Sequence, residues 1–251
     1  MTGTETIIGL ARQQLERSRQ AVVFTGAGIS TESGIPDFRS PDGLWTRLRP
    51  IDFQQFLASD DARRESWRRK FELDDAIGAV QPNAGHRAVA ALVAAGRVSH
   101  VITQNIDGLH QASGVPPGRV IELHGNSTYA ACLACRARYE LADIRLRFAV
   151  DGAAPICHCG GFIKSATVSF GQPMPTFAMR AAEAAILACD LCIVVGSSLQ
   201  VFPAAGFPEL ARRHGAGLLI VNREPTPLDG IADAVLHGEA GPLLTALTTD
   251  G

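Results

Sequence analysis

The chain has 251 residues, 46% of them hydrophobic and 19% charged. That is enough to bury a sizeable core and fits one large α/β domain carrying a smaller insertion. A net charge of −2 excludes the basic footprint of a nucleic-acid binder, and no run approaches the ~20 apolar residues of a membrane span.

The N-terminal residues 1–10 lack the basic flank and apolar run of a secretion signal, so a soluble, cytoplasmic protein is expected. Ile7, Leu10, Ala11 and Leu15 recur at helical spacing and predict a helix over residues 6–19. Short apolar runs that stop at glycine or polar residues predict buried strands over 21–25, 98–103, 191–196 and 218–222. Helical stretches lie between them at 86–95, 176–188 and 204–214. Strands alternating with helices imply a Rossmann-like, mostly parallel sheet with helices on both faces. Ligands of such sheets bind outside the carboxyl ends of the strands.

Two segments break the alternation. Residues 37–75 read as a loop followed by a helix, and residues 126–166 carry four cysteines. Both are taken as parts of one small module inserted into a large domain made of residues 1–36, 76–125 and 167–251. In the helical part, Arg63, Arg64, Arg68, Arg69 and Lys70 alternate with Asp61, Glu65, Glu72, Asp74 and Asp75, the pattern of a solvated helix face.

Cys132 and Cys135 form one close pair, Cys157 and Cys159 a second, with 21 residues between the pairs. Four thiolates at such spacing suit a tetrahedral zinc ion, and a fully ligated zinc is structural because no position remains for water. Gly160 and Gly161 give the chain freedom to fold around the ion, and His158 is an alternative ligand. An intracellular setting argues against disulfides. Cys189 and Cys192 fall at a helix end and in an apolar strand, and are read as buried and inert.

The first strand runs into Thr25-Gly26-Ala27-Gly28-Ile29-Ser30-Thr31. Glycines after a strand let backbone approach a phosphate, but Thr31 stands where the dinucleotide fingerprint has its third glycine. On these residues alone a phosphate cradle and a plain tight turn both remain open. Likewise Asn105 and Asp107 read as helix caps or as site residues, and His124 as an ordinary buried histidine or a base. Asp37 and Arg39 read as a surface ion pair or as part of a site, whereas His86 is read as structural.

Together these stretches resemble one family. Glu32-Ser33-Gly34-Ile35-Pro36-Asp37-Phe38-Arg39-Ser40, Thr103-Gln104-Asn105-Ile106-Asp107-Gly108-Leu109-His110 and Leu123-His124-Gly125 are similar in order and spacing to the sirtuin signature. Gly196-Ser197-Ser198-Leu199-Gln200 and Val221-Asn222-Arg223-Glu224-Pro225-Thr226 extend the likeness to nearly the whole chain. The resemblance implies an enzyme that consumes NAD+ to remove acyl groups from protein lysines, giving nicotinamide and O-acyl-ADP-ribose, with a structural Zn2+.

It further implies that Gly26, Ala27, Gly28, Ser30 and Thr31 hold the cofactor phosphates and loop. Phe38 and Arg39 would cover nicotinamide and its ribose, while Gln104, Asn105, Ile106 and Asp107 position them. Gly196, Ser197, Ser198 and Asn222 would take the phosphate and adenosine end. Val168, Phe170 and Gly171 would add a strand to the acyl-lysine peptide, with Val201 opposite. His124 would be the general base, with Asn105 as a second catalytic residue.

Gln172 departs from a common glutamate and Ser197 from a common threonine; both keep hydrogen-bonding ability. No tyrosine lies between Trp67 and Asp75, where relatives that remove succinyl or malonyl groups carry one, so neutral acyl groups are expected. Two other readings use the same residues: ADP-ribosyl transfer to protein or NAD+ hydrolysis, and a non-catalytic NAD+-sensing interaction module.

Overall fold

The computed structural model describes residues 3–36 and 49–248. Six strands build its main sheet: β1 Ala21–Thr25, β2 Val98–Thr103, β3 Val120–Glu122, β7 Leu191–Val195, β8 Gly217–Asn222 and β9 Ala234–His237. They lie in the order β3-β2-β1-β7-β8-β9, all parallel. Every residue of β1 and β7 is buried. That is the consequence of running Ala-Val-Val-Phe-Thr and Leu-Cys-Ile-Val-Val through the centre of a sheet covered on both faces.

One face carries α1 (Gly3–Arg17), α4 (Ala84–Ala94) and α9 (Ala240–Thr248), packed on Val23, Val101 and Ile193 through Ala11, Leu15, Val89, Leu92, Leu244 and Leu247. The other carries α7 (Thr176–Ala188) and α8 (Gly206–Arg213), which place Ala182, Ile186, Phe207 and Ala211 against Phe24, Ile102 and Ile220. No helix among the described residues is long and apolar enough to cross a membrane.

The chain builds outward from β1 to β2 and β3, then returns to β7 on the other side of β1 and continues to β9. The strand order therefore reverses between β1 and β7, and a crevice opens there at the carboxyl ends. The α1 helix ends at Arg17 and not at Arg19 because Asp190 captures the next three residues. Its carboxylate accepts from Ser18 Oγ (2.5 Å), the Arg19 N–H (2.7 Å) and the Gln20 N–H (3.1 Å).

The segments 53–77 and 125–167 share a third apolar cluster. It joins Trp67 and Phe71 of α3 (Asp60–Ile77) to Ala130 and Cys132 of β4 (Gly125–Cys132), Ile144 of α6 (Leu141–Asp151) and Ile163 of β6 (Ile163–Thr167). A three-stranded antiparallel sheet, in which β4 lies between β6 and β5 (Arg138–Glu140), backs this cluster. The Trp67 Nε1–H donates to the Ile163 carbonyl at 3.3 Å and pins α3 to the sheet. A short helix, α2 (Phe53–Ala58), precedes α3 and starts on a reciprocal Asp52–Gln55 capping box.

The basic stretch of α3 departs in part from a solvated face. Arg64, Arg68, Arg69 and Lys70 do pair with Asp60, Glu65, Glu72 and Asp74. Arg63, however, is buried. Its guanidinium donates to the Phe56 and Leu57 carbonyls at 3.1 and 3.0 Å, and sits 4.0 Å from the Phe162 ring centroid. It satisfies the end of α2, a partner that charge spacing along one helix does not reveal.

Candidate active site

The turn after β1 meets the turn after β7 at backbone distance. The Gly26 N–H donates to the Val195 carbonyl and the Gly28 N–H to the Gly196 carbonyl, at 3.1 and 2.8 Å. A Cβ on Gly26 would lie 2.8 Å from the Gly196 oxygen, and one on Gly196 (φ +62°) would lie 2.2 Å from the Ile29 nitrogen. Only glycine fits at these contacts, so the two turns pack backbone against backbone and form a trough at the carboxyl ends of β1 and β7, where such sheets take a phosphate chain.

That trough opens into a cleft of about 890 Å³. Gly26, Ala27, Gly28, Thr31, Gln104, Asn105, Ile106, Gly196, Ser197, Ser198 and Asn222 all line it, as do His124, Val168, Phe170, Gly171 and Val201. The structure thus brings together most residues singled out in the sequence. Phe38 and Arg39 lie outside the described residues.

Ser30 and Asp107 stand behind the cleft wall and hold each other. The Ser30 hydroxyl donates to Asp107 Oδ2 at 2.7 Å, and Asp107 Oδ1 accepts the Leu109 N–H at 2.9 Å, at the start of α5 (Leu109–Ala112). Asn105 Nδ2 donates to the Gly26 carbonyl (3.1 Å) and Ser30 Oγ (3.2 Å), which ties the loop after β2 to the glycine turn. Gln104 Nε2 donates to Ser197 Oγ at 2.7 Å and makes the corresponding link to the turn after β7.

His86 joins this network from below. Its Nδ1 accepts the Asn83 N–H in a capping box, so Nε2 carries the proton and faces Ser30 Oγ at 3.4 Å. Burial is complete and pushes its pKa down to about 4, with the Asp107 charge opposing the shift. His110, 5.1 Å away ring to ring, is held at about 3, chiefly by burial. Both are neutral imidazoles at neutral pH.

His124 follows β3 and lines the cleft. Its Nδ1 lies 2.9 Å from the Gln104 carbonyl oxygen. A carbonyl only accepts, so Nδ1 bears the proton and Nε2 keeps the lone pair. Burial lowers its pKa from the ordinary histidine value, partly offset by that hydrogen bond. A neutral imidazole with a free Nε2 is a base ready to take a proton at pH 7.

Several lining groups have weak sequence signals. Gly238, Glu239 and Ala240 close the far end of the cleft, and Arg223 bridges to Glu239 at 2.8 Å. They follow β9, a four-residue strand ending at His237, and Gly238 directly after it repeats the strand-then-glycine pattern of β1 and β7. Ile51 and Phe202 also line the cleft, and the Phe53 N–H donates to the Phe170 carbonyl at 2.9 Å.

The four Sγ atoms of Cys132, Cys135, Cys157 and Cys159 lie within 4.8 Å of one another, with closest approaches of 3.5 and 3.6 Å. A tetrahedron with Zn–S bonds of about 2.3 Å has edges of about 3.8 Å, so the donor set fits zinc despite the short second pair. Gly161 has to be glycine, since a Cβ there would lie 2.7 Å from Cys132 Sγ. The Tyr139 hydroxyl donates to Cys157 Sγ at 3.0 Å and is the largest influence lowering that thiol to about 6. His158 is exposed and outside the cluster. Cys192 is fully buried and Cys189 partly so; burial raises both thiols, Cys189 to about 11, which leaves them protonated.

Comparison with known proteins agrees with this geometry. A Sir2 family model matches residues 26–203. The chain is 55% identical over 92% of its length to the NAD-dependent protein deacetylase 1 of Bradyrhizobium diazoefficiens, covering 91% of that protein. A solved structure described under the structural basis for the mechanism and regulation of Sir2 enzymes superposes with a TM-score of 0.85 at 41% identity, covering 97% of both chains. A Sir2–p53 peptide–NAD+ complex superposes at 0.83 with 35% identity, covering 98% of this chain and 96% of that one. A family model over most of the chain and a relative this close define the class: the chain belongs to the Sir2 family.

Proposed function

We propose that the protein is an NAD+-dependent protein lysine deacylase acting on acetyl or other neutral acyl groups, in the cytoplasm. The observation that carries this reading is His124, neutral and with its Nε2 lone pair free, in a cleft that also contains the glycine trough. The naming of the Bradyrhizobium relative as an NAD-dependent deacetylase and the peptide–NAD+ complex of a Sir2 neighbour support it.

In this reading residues 1–36, 76–125 and 167–251 form the NAD+-binding domain, and 37–75 with 126–166 the small module. NAD+, consumed as a co-substrate, would supply a ribosyl carbon that loses nicotinamide and bonds to the amide oxygen of the acyl-lysine; water then adds to the acyl carbon, whose bond to nitrogen breaks, leaving free lysine and O-acyl-ADP-ribose. Gly26, Gly28 and Gly196 admit the phosphates, with Ala27, Thr31, Ser197 and Ser198 along the trough. Asn222 takes the adenosine end.

Gln104, Asn105 and Ile106 hold the nicotinamide end, while Ser30 and Asp107 keep that loop against the glycine turn; Phe38 and Arg39 cover it. His124 draws a proton from a ribose hydroxyl, a service worth roughly 10²–10⁴-fold in such bases. Val168, Phe170 and Gly171, with Val201 facing them, pair with the substrate backbone, a mode that gives affinity with little sequence demand. Four thiolates hold a structural Zn2+ that staples the small module.

Mass spectrometry of the products tests the reading. O-acyl-ADP-ribose in equal amount to deacylated peptide is the expected result. ADP-ribosylated protein, or free ADP-ribose with the acyl group still on lysine, overturns it in favour of the other NAD+ chemistries.

A further inference from the structure

A buried ammonium stands where the chain leaves the three-stranded sheet. Lys164 of β6 is 4% exposed. Burial lowers its pKa to about 8, with no carboxylate among the described residues opposing the shift, and leaves it charged at pH 7. Its Nζ donates to two carbonyls of its own strand, Thr167 at 2.6 Å and Ser165 at 3.4 Å. Burying an unpaired charge is costly, and a methionine of similar length would fill the space without that cost. What the ammonium adds is donors, and the shorter bond goes to the Thr167 carbonyl.

That carbonyl sits at a crossing. β4 starts at Gly125, directly after His124, and β6 ends at Thr167, directly before Val168. Thr167 lies opposite Gly125, but the pairing slips between Gly125 and Ala130, so the regular ladder does not reach this end. The two chains touch there: a Cβ on Gly125 (φ +76°) would lie 2.0 Å from the Ala166 oxygen. One residue on, the Val168 N–H donates to the His124 carbonyl at 2.8 Å. His124 thus has its ring held by Gln104 and its backbone by Val168. The Thr167 oxygen and the Val168 N–H belong to one planar peptide, so fixing the oxygen fixes the direction of the N–H.

We propose that Lys164 is a positioning residue for the reaction: by orienting the Thr167–Val168 peptide it seats the His124 backbone, and with it the base, at the cleft. This inference rests on the deacylase reading. Lys164 is not among the residues lining the cleft and acts through one peptide unit. A charged donor on the oxygen also polarises that peptide and strengthens the bond its N–H makes to His124. Without the donor the peptide is free to turn, and a small displacement of the base slows proton transfer.

The test compares wild type with Lys164→Met, Lys164→Gln and Lys164→Arg, all zinc-loaded, on an acetyl-lysine peptide with NAD+, with folding checked by urea unfolding. The first substitution removes the donor, the second places one an atom short of Nζ, and the third keeps a charged donor. The first two should lower kcat by about 10- to 10²-fold, the loss expected of a base displaced by up to ~1 Å, with KM for NAD+ and for peptide within about twofold of wild type. Lys164→Arg should keep most of kcat. Unchanged kcat in the first two, a raised peptide KM at unchanged kcat, or no rescue by Lys164→Arg overturns the inference and leaves the deacylase reading intact. So does failure of both Lys164→Met and Lys164→Gln to fold, which would make Lys164 a requirement of the fold and not of the reaction. A wild type that does not deacylate overturns that reading, and this inference with it.

Discussion

Lowering the pH from 7.5 to 5.5 should destabilise the fold through two histidines that burial keeps neutral. His110 is 1% exposed, and its Nε2 donates to Thr25 Oγ1 at 2.9 Å, since that hydroxyl spends its own proton on Thr103 Oγ1. Its Nδ1 is buried without a partner. His86 is fully buried beside it. Their pKa values are lowered to about 3 and about 4. The unfolded chain, at about 6.5, therefore takes up protons that the native state refuses.

Stability from these groups is complete above pH 6.5 and is lost as pH falls towards the folded values. Integrating proton uptake from pH 7.5 to 5.5 gives about 1.3 kcal/mol per histidine, or about 2.5 kcal/mol for the pair. His100 and His124, also lowered, add in the same direction, whereas Glu122, raised by burial, runs the other way. Because thiolate ligation of zinc is itself pH-dependent, the decisive quantity is a difference. Urea unfolding at both pH values, wild type against His110→Gln, should show the variant losing about 1.3 kcal/mol less on acidification. Identical pH dependence in the two proteins would refute the account of a buried, unprotonatable imidazole.

The zinc cluster, the base and the trough each make a separate prediction. Cys135→Ala, or prolonged chelation, should remove one zinc per chain and unfold the module around Trp67, read as metal content and a red shift of tryptophan fluorescence; a chain that keeps native fluorescence without metal contradicts a zinc-dependent core. The pH profile of kcat/KM should rise through an apparent pKa below 6.5 and be flat by pH 7.5, because burial favours neutral His124; a limb rising above pH 7 contradicts this. Gly196→Ala should abolish NAD+ binding or folding, since its Cβ falls 2.2 Å from the Ile29 nitrogen; unchanged affinity by calorimetry would show that the two turns do not pack as described.

The layered core was legible because β1 and β7 are central and buried on both faces, so their apolar runs are unbroken. The cysteine spacing was legible because zinc geometry restricts it so strongly. The hidden features depend on partners distant in sequence. Asp190 shortens α1 across 171 residues, and Arg63 is buried by capping α2 instead of facing water. Strand β3 has only three residues, too few for periodicity to register. Ser30 and Asp107 belong to the recognised motifs, yet their mutual hydrogen bond at 2.7 Å behind the cleft wall depends on the fold alone. His86, read in the sequence only as structural, caps α4 and also reaches Ser30, a contact set by how α4 packs beneath the glycine turn.

The central claim is tested most directly by incubating zinc-replete protein with NAD+ and peptides bearing acetyl, butyryl, longer acyl or succinyl lysine, for wild type and His124→Ala. The account predicts nicotinamide and deacylated peptide in equal amounts from neutral acyl substrates, only with NAD+, and a loss of at least about 10²-fold in the variant. Nicotinamide release without deacylation, or deacylation that persists without NAD+ or in His124→Ala, would contradict it.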